Sequence, residues 1–285
     1  MSTAFNFTNG WVQEPTNGPV LQKVLNNSAL EQVARKVQMD VPTVRVPRHD
    51  AQGVDVVAEL GTIPTLDATL DSVTLTALKF ANRHAISLEA SRDAVANEVD
   101  IFKQRWASNF AVKLDNACLG ATGGVFPHSV YEIATTDKQS TAGPLKLTHV
   151  AKAVGEIEAG DYSDDIVIIA HPTFAMSLRQ MVDVYGFRVL SDPLQSNVPT
   201  LFGHDVVFSR GAVASTGASD RPTGNPLLVV ASKRNLILGV RDGVESALSD
   251  QAAWATDALE LKMRARRAFA TGDANAFRVI ELTAS

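Results

Sequence analysis

The chain has 285 residues, 45% of them hydrophobic and 20% charged, with a formal net charge of −5. That is enough apolar material for one large domain or two modest ones, and it excludes a disordered chain or one that grips nucleic acid through an overall cationic surface. The single cysteine, Cys118, excludes an intrachain disulfide and a multi-cysteine zinc site, fits folding in a reducing compartment, and reads as a small apolar residue near a helix end.

The opening stretch, MSTAFNFTNGWVQEPTNG, lacks a basic region followed by an apolar run, so it does not read as a signal peptide. No uninterrupted apolar run reaches the roughly 20 residues of a membrane-spanning helix. Residues 1 to about 50 mix polar segments with Pro15, Pro19, Pro42 and Pro47 and hold one short helical candidate, VLQKVLNNSALEQVARKVQM. They are expected to form an arm lying on something else.

From Val44 to about Leu88 the pattern is extended. Val73, Leu75 and Ala77 alternate in one phase and Phe80, Ile86 and Leu88 in the other, so a bulge or bend is expected near Leu78. A polar tip with Gly and Pro separates the two runs, and the simplest shape is a long two-stranded ribbon. Such a ribbon is marginal alone in water and needs a surface, which can belong to another chain.

A long helix follows, with Ser91 as its expected N-cap and Asp93 near its positive end. Val95, Val99, Phe102, Trp106, Phe110, Leu114 and Ala117 repeat at three- and four-residue steps, and Gly120, Gly123 and Gly124 end the helix. After Gly143-Pro144 helix and strand signals alternate. LTHVAKAVGEIEAG reads as an amphipathic helix, DDIVIIAHP as a buried strand, and a helix enters at Pro172 or Thr173. GHDVVFS, PLLVVASKRNLILGV and DGVESALSD complete an expected α/β unit reaching about residue 255. The last segment reads as two strands around a TGDAN turn, sharing a sheet with the early strands.

Signatures of chemistry are sparse. The glycines of LGATGGVFP are followed by no Lys-Ser or Lys-Thr at phosphate-loop spacing, and neither Gly-x-Ser-x-Gly nor His-Glu-x-x-His occurs. The six histidines show no ligand spacing, and Asp40, Asp50, Asp55, Asp164 and Asp165 form no metal loop. His171, closing a buried strand, has no evident nucleophile or carboxylate partner and reads as structural. No catalytic, cofactor-binding or metal-ligating residue is assigned, and no cofactor is expected. In KMRARRAF, a strand would place Lys262, Arg264 and Arg266 on one face and Leu261, Met263 and Ala265 on the other, with Arg267 ending the run. Two readings stand: a row meeting carboxylates or phosphates across a contact, or a solvated strand face.

The order of elements is similar to that of tailed-bacteriophage major capsid proteins, whose Hong Kong 97-like shell fold is shared with encapsulins. AISLEASRDAVANEVDIFKQRWASNFAVKLDNACLGATG resembles the family's passage into its spine helix, with Ile86, Ser87, Glu89, Asp93, Asp115 and Leu119-Gly120. HPTFAMSLRQMVDVYGFRVLSDPLQSNVPTLFGHDVVFS resembles a segment of its axial domain. PLLVVASKRNLILGVRDGVESALSD, followed by MRARRAFATGDANAFRVIEL, resembles the return to its peripheral domain.

The resemblance implies an α+β fold. Its parts would be an N-terminal arm at 1–45, an extended β-hairpin loop at 46–80, a peripheral domain at 81–145 and 255–285 with a spine helix at 91–119, and an inserted α/β axial domain at 146–254. It implies a major capsid protein that assembles with itself as pentamers and hexamers into an icosahedral shell around double-stranded DNA, without sequence-specific binding. Arg48, Asp55, Glu59, Lys262, Arg264 and Arg266 are the expected inter-subunit contacts. Further partners would be a portal and a separate scaffolding protein, since the chain reaches its arm almost at once; a cement protein is allowed for. The place would be the virion capsid, assembled in the host cytoplasm, with no membrane. No lysine lies between Lys36 and Lys79, which speaks against the loop-lysine crosslink of some relatives. The alternatives are an encapsulin-type compartment and, more remotely, a soluble α/β enzyme built around His171.

Overall fold

The computed structural model describes residues 27–49, 56–63, 70–89, 98–134, 139–142, 146–160, 162, 165–180, 200–249, 251 and 256–283. A short helix α1 (Ala29–Val33), capped by the Ser28 hydroxyl, leads into strand β1 (Arg35–Gln38). Strands β2 (Thr43–His49) and β3 (Leu70–Thr76) pair antiparallel as a ribbon, and β4 (Leu78–Ser87) follows directly. The chain then enters the long helix α2 (Glu98–Leu119), about 33 Å at the usual rise per residue. Strand β5 (Ala121–Thr122) and helix α3 (Val130–Ile133) come next. They are followed by β6 (Gln139–Ala142), α4 (Leu147–Glu158), β7 (Ile166–Ala170) and α5 (Thr173–Gln180). The remaining strands are β8 (Thr200–Leu201), β9 (His204–Phe208), β10 (Ser215–Thr216), β11 (Leu227–Ser232), β12 (Leu236–Ser249), β13 (Ala258–Thr271) and β14 (Phe277–Thr283).

Two sheets organise these elements. A four-stranded sheet runs β1-β12-β13-β4 and a six-stranded sheet runs β6-β14-β11-β7-β9-β8. The alternating residues of β7 and β11 divide between two cores. Ile168, Ala170, Leu228 and Val230 face α4 and α5 through Val150, Ile157, Phe174 and Leu178. Val167, Ile169, Leu227 and Val229 face the other way, meeting Leu114, Cys118 and Leu119 of α2 together with Leu238, Ala265 and Phe269 of the four-stranded sheet. The C-terminal half of α2 thus joins both sheets in one apolar core. Farther back along the same stripe, Val99, Phe102 and Trp106 cover Ile86, Leu261 and Met263, so the expected helical face is the one used. Trp106 stacks on Phe110 at 5.2 Å, and Phe80 meets Phe110 edge-on at 5.4 Å.

Several boundaries differ from the sequence expectation. The early helical candidate ends at Val33, and Arg35–Gln38 is instead a strand, because pairing with Ile237 to Val240 of β12 overrides local helix preference. The residues around TGDAN are not a hairpin turn. β13 lies in the four-stranded sheet and β14 pairs with β11 in the six-stranded one. PLLVVASKRNLILGV divides the same way, into β11 and β12. Both passages between sheets meet at Asn235, whose backbone carbonyl accepts from Gly272 N–H at 2.8 Å and whose side-chain Oδ1 accepts from Asp273 N–H at 3.1 Å. The phase slip near Leu78 marks a change of sheet: Ala77 N–H bonds to Pro42 in the ribbon, while Leu78 already faces Arg267 of β13. Ser91, Asp93 and Val95 lie outside the described residues.

The loop after β9 folds back against α2 so closely that only glycine fits at position 211. A Cβ there would sit 2.6 Å from Asp115 Cβ and 2.7 Å from both the Asn116 nitrogen and the Val112 carbonyl oxygen. Gly211→Ala is expected to destabilise the fold by about 2–3 kcal/mol through overpacking against helix backbone. Thermal unfolding should show this as a lower Tm, and an unchanged Tm would refute the close approach.

Candidate functional site

The ribbon is seated at its base. Leu75, with Val44, Val46 and Ala77, packs on Met39 and on Ile237, Ala268 and Ala270, which present the face of the four-stranded sheet opposite α2. Arg48 closes the seat, with Nη2 on Asp71 at 2.6 Å across the ribbon and Nη1 on the Gly272 carbonyl at 3.0 Å. The expectation that the ribbon needs a surface is therefore met at the base by its own chain. Farther out, among the described residues, Val56, Leu60 and Ile63 are 101%, 103% and 79% exposed. Glu59 lies in this exposed stretch, and Asp55 lies outside the described residues.

The alternation expected in β13 is present. Leu261, Met263 and Ala265 are buried, while Lys262, Arg264 and Arg266 line the opposite face. Arg264 pairs with Glu245 at 2.6 Å and Arg266 with Asp242 at 3.3 Å, both carboxylates lying on the neighbouring β12 of the same chain. Arg83 of β4 reaches Glu260 at 3.4 Å. Arg267, next in the basic run, points inward. Its Nε meets Glu31 of α1 at 2.8 Å, its Nη1 donates to the Asp242 carbonyl at 2.6 Å, and its guanidinium lies 5.6 Å from the Phe110 ring centroid.

A buried polar cluster on α2 fixes the root of the arm. The Asp115 carboxylate accepts from Ser28 Oγ at 2.5 Å, Ala29 N–H at 2.8 Å, Leu30 N–H at 3.2 Å and Ser209 Oγ at 2.6 Å. Both hydroxyls are themselves held, Ser28 by Glu31 N–H and Ser209 by Gly211 N–H. Burial pushes the Asp115 carboxyl above the ordinary range, against these four donors, which pull it down. The neighbouring Asn116 donates to the Gly211 and Val213 carbonyls and accepts from Ser215 Oγ and Ser219 N–H, holding the 211–219 loop. Asp115 belongs to the quoted resemblance, but its partners, Asn116 and the inward role of Arg267 escaped the sequence reading. Only the Ser28-x-x-Glu31 spacing, a helix-start signal, hinted at any of them.

His171 is a helix-start residue. Its Nδ1 accepts from Thr173 N–H at 3.3 Å and contacts Thr173 Oγ1 at 2.7 Å, and burial, with the nearby Arg210 charge, holds its pKa below the usual imidazole value. Cys118 is buried, and desolvation beside Asp115 pushes its thiol well up, leaving it unreactive in the folded chain. Among the described residues no three His, Cys, Asp or Glu side chains gather to hold a metal, and no helix is long and apolar enough to cross a membrane.

The model of the Phage capsid family matches residues 9–282. A solved structure from Mycobacterium phage Bobi superposes with a TM-score of 0.76 at 20% identity, covering 96% of each chain. One from Mycobacterium phage Ogopogo gives 0.75 at 18% identity, covering 93% of this chain and 95% of the other. The capsid of an empty GTA particle gives 0.68 at 15% identity, covering 95% of each. No match was found among curated proteins.

Asp115→Asn leaves four donors facing a side chain that can no longer accept from all of them, a loss of about 3 kcal/mol. The pH dependence has a definite sign. The folded-state value is raised, so the contribution of the carboxyl's titration to stability is fully present below its unfolded value and is lost as pH rises through the folded one. Urea unfolding should find the gap between wild type and Asp115→Asn wider near pH 4 than near pH 7. A gap that widens with pH would contradict this.

Proposed function

The chain belongs to the phage capsid family, and we propose that it serves as the major capsid subunit of a tailed bacteriophage, assembling with itself as pentamers and hexamers into an icosahedral shell that encloses double-stranded DNA. The observation that carries this reading is the ribbon. Its base is buried on its own sheet while its far end holds out Val56, Leu60 and Ile63, aliphatic side chains left exposed among the described residues. Repetition supplies the missing surface. Contacts too weak to hold one pair become effectively irreversible when each subunit is held by several neighbours, and head-to-tail contacts that close on themselves generate rings.

Assembly requires no chemical step, and none is assigned to any residue. The acidic balance of the chain suits a wall that surrounds DNA without gripping it. A scaffolding protein and a portal are the partners this reading calls for, with a cement protein allowed for, assembly in the host cytoplasm and residence in the virion. With no lysine between Lys36 and Lys79, the shell would be held by non-covalent contacts at the loop.

His49 faces Leu70 in the ribbon register, so residues 50–69 can be replaced by an Asn-Gly turn without disturbing the paired strands. The shortened chain is expected to fold, with a Tm within about 3 °C of wild type, because the base contacts remain. Electron microscopy should show no closed particles. Normal shells from this variant would refute the role given to the loop.

A further inference from the structure

We propose that the open edge of β12, residues 243–249, pairs antiparallel with the same edge of a second copy of this chain about a twofold axis, a reading that rests on the shell function above and names the surface by which rings of subunits meet. β13 accompanies β12 from Leu236 to Ser249, but on its other side β1 follows it only from Ile237 to Val240. Met39 N–H closes that pairing on the Val240 carbonyl at 2.9 Å. Beyond it, no strand among the described residues receives the N–H and C=O groups that β12 turns away from β13. Such an edge is a template for pairing, and proteins ordinarily blunt it with lysine, proline or a bulge. Residues 243–249 hold no lysine, arginine or proline. The bulge between Asp242 and Glu245 lies at their start, so Glu245 to Ser249 are registered one for one with Arg264 to Glu260.

The side chains beside this edge are apolar on the inner face. Leu248 stands opposite Leu261 and Ser246 opposite Met263, so they share the face on which Val99, Phe102 and Trp106 of α2 cover Ile86, Leu261 and Met263. The extra residue of the bulge sets Val244 opposite Ala265 on that face too. The helix stops short of β12, and Val244 and Leu248 are 54% and 51% exposed.

The strand is its own complement. A twofold centred on Ser246 sets Val244 against the Leu248 of the other copy and Leu248 against its Val244, two aliphatic pairs on one face. On the outer face Glu245 meets Ala247, so no like charges stand opposite each other. Behind Ala247 in the same row is Lys262. Two strand spacings of about 4.8 Å separate it from the incoming Glu245, within the joint reach of the two side chains. Each Glu245 then sits between Arg264 of its own chain and Lys262 of the other. Centring on Glu245 instead would set that carboxylate against itself, and centring on Ala247 would set Leu248 against Ser246. A strip this short buries well below the roughly 1,200 Å² of a self-sufficient complex, so the pairing belongs where other contacts already hold copies together. A shell is such a place, because head-to-tail rings alone do not close a container, whereas rings joined through an isologous contact do.

Cysteine pairing in the full-length chain tests the proposal. At the twofold, Ser246 faces itself at the Cα separation of about 4.5–5.5 Å found across an antiparallel ladder, inside the range that a disulfide spans. In shells assembled from Ser246→Cys and mildly oxidised, more than about half of the chains should run as covalent dimers on a non-reducing gel. Ser249→Cys, about 20 Å from its counterpart in this pairing, should give fewer than about a tenth. The native Cys118 is buried and does not interfere. Leu248→Lys, at a half-exposed position, should keep its Tm within about 2 °C of wild type while lowering particle yield by about tenfold or more. The proposal is overturned if Ser246→Cys shells of normal appearance give no dimer, if Ser249→Cys crosslinks as readily, or if Leu248→Lys assembles like wild type. An edge taken by some other segment would show as the absent dimer together with a lost yield in Leu248→Lys. Failure of the wild-type chain to form any particle would overturn the shell reading and this contact together, whereas shells without the dimer overturn the contact alone.

Discussion

Burial of the C-terminal half of α2 between two sheets is the constraint from which the rest follows. From Phe110 onward the helix has little access to water, so the adjacent polar side chains Asp115 and Asn116 must find partners within the protein. They find them in segments about 90 residues away on either side. Asp115 gathers Ser28, Ala29, Leu30 and Ser209, and Asn116 gathers the loop from Gly211 to Ser219. One turn of helix therefore fixes where the arm departs and how the six-stranded sheet meets the helix. Arg267 adds the third side by joining α1, the four-stranded sheet and Phe110.

With the inner face of the four-stranded sheet committed to α2, only its outer face is free to act. The ribbon base takes one end of that face with apolar contacts, and ion pairs occupy the other. This division gives the two ends of the face different means of holding: aliphatic packing secures the ribbon to its own subunit, while ion pairs join β12 to β13. Ion pairs on an exposed face are weak individually and sensitive to salt, so the apolar end holds the more firmly of the two.

Much of the fold was legible because it is written in local periodicity. The helical stripe through Phe102, Trp106, Phe110 and Leu114, the alternation of Leu261, Met263 and Ala265 against Lys262, Arg264 and Arg266, and the wholly buried β7 all follow from which side chains share a face. The phase slip near Leu78 was visible too, though a local signal could not say that it meant a change of sheet. What stayed hidden depends on contacts far apart in sequence. Nothing near Asn235 or Gly272 announces that two strands part there, since a short polar turn looks the same whether it reverses a strand or hands it to another sheet. Ser28, Ser209 and Asn116 are ordinary polar residues until the fold brings a buried carboxylate and a loop to them. Of the expected inter-subunit contacts, Arg48, Arg264 and Arg266 hold carboxylates of their own chain, a pairing that no local signal announces.

The direct run of β3 into β4 has a mechanical consequence. A neighbour that pulls on the ribbon delivers its load at Ala77, nearly in line with β4, whose residues Leu78 to Ser87 are registered one for one with β13. The sheet is then loaded in shear, with ten ladder positions resisting together instead of peeling apart singly. A wall that must contain pressure is best anchored in that direction, and here the anchor is the continuous backbone itself.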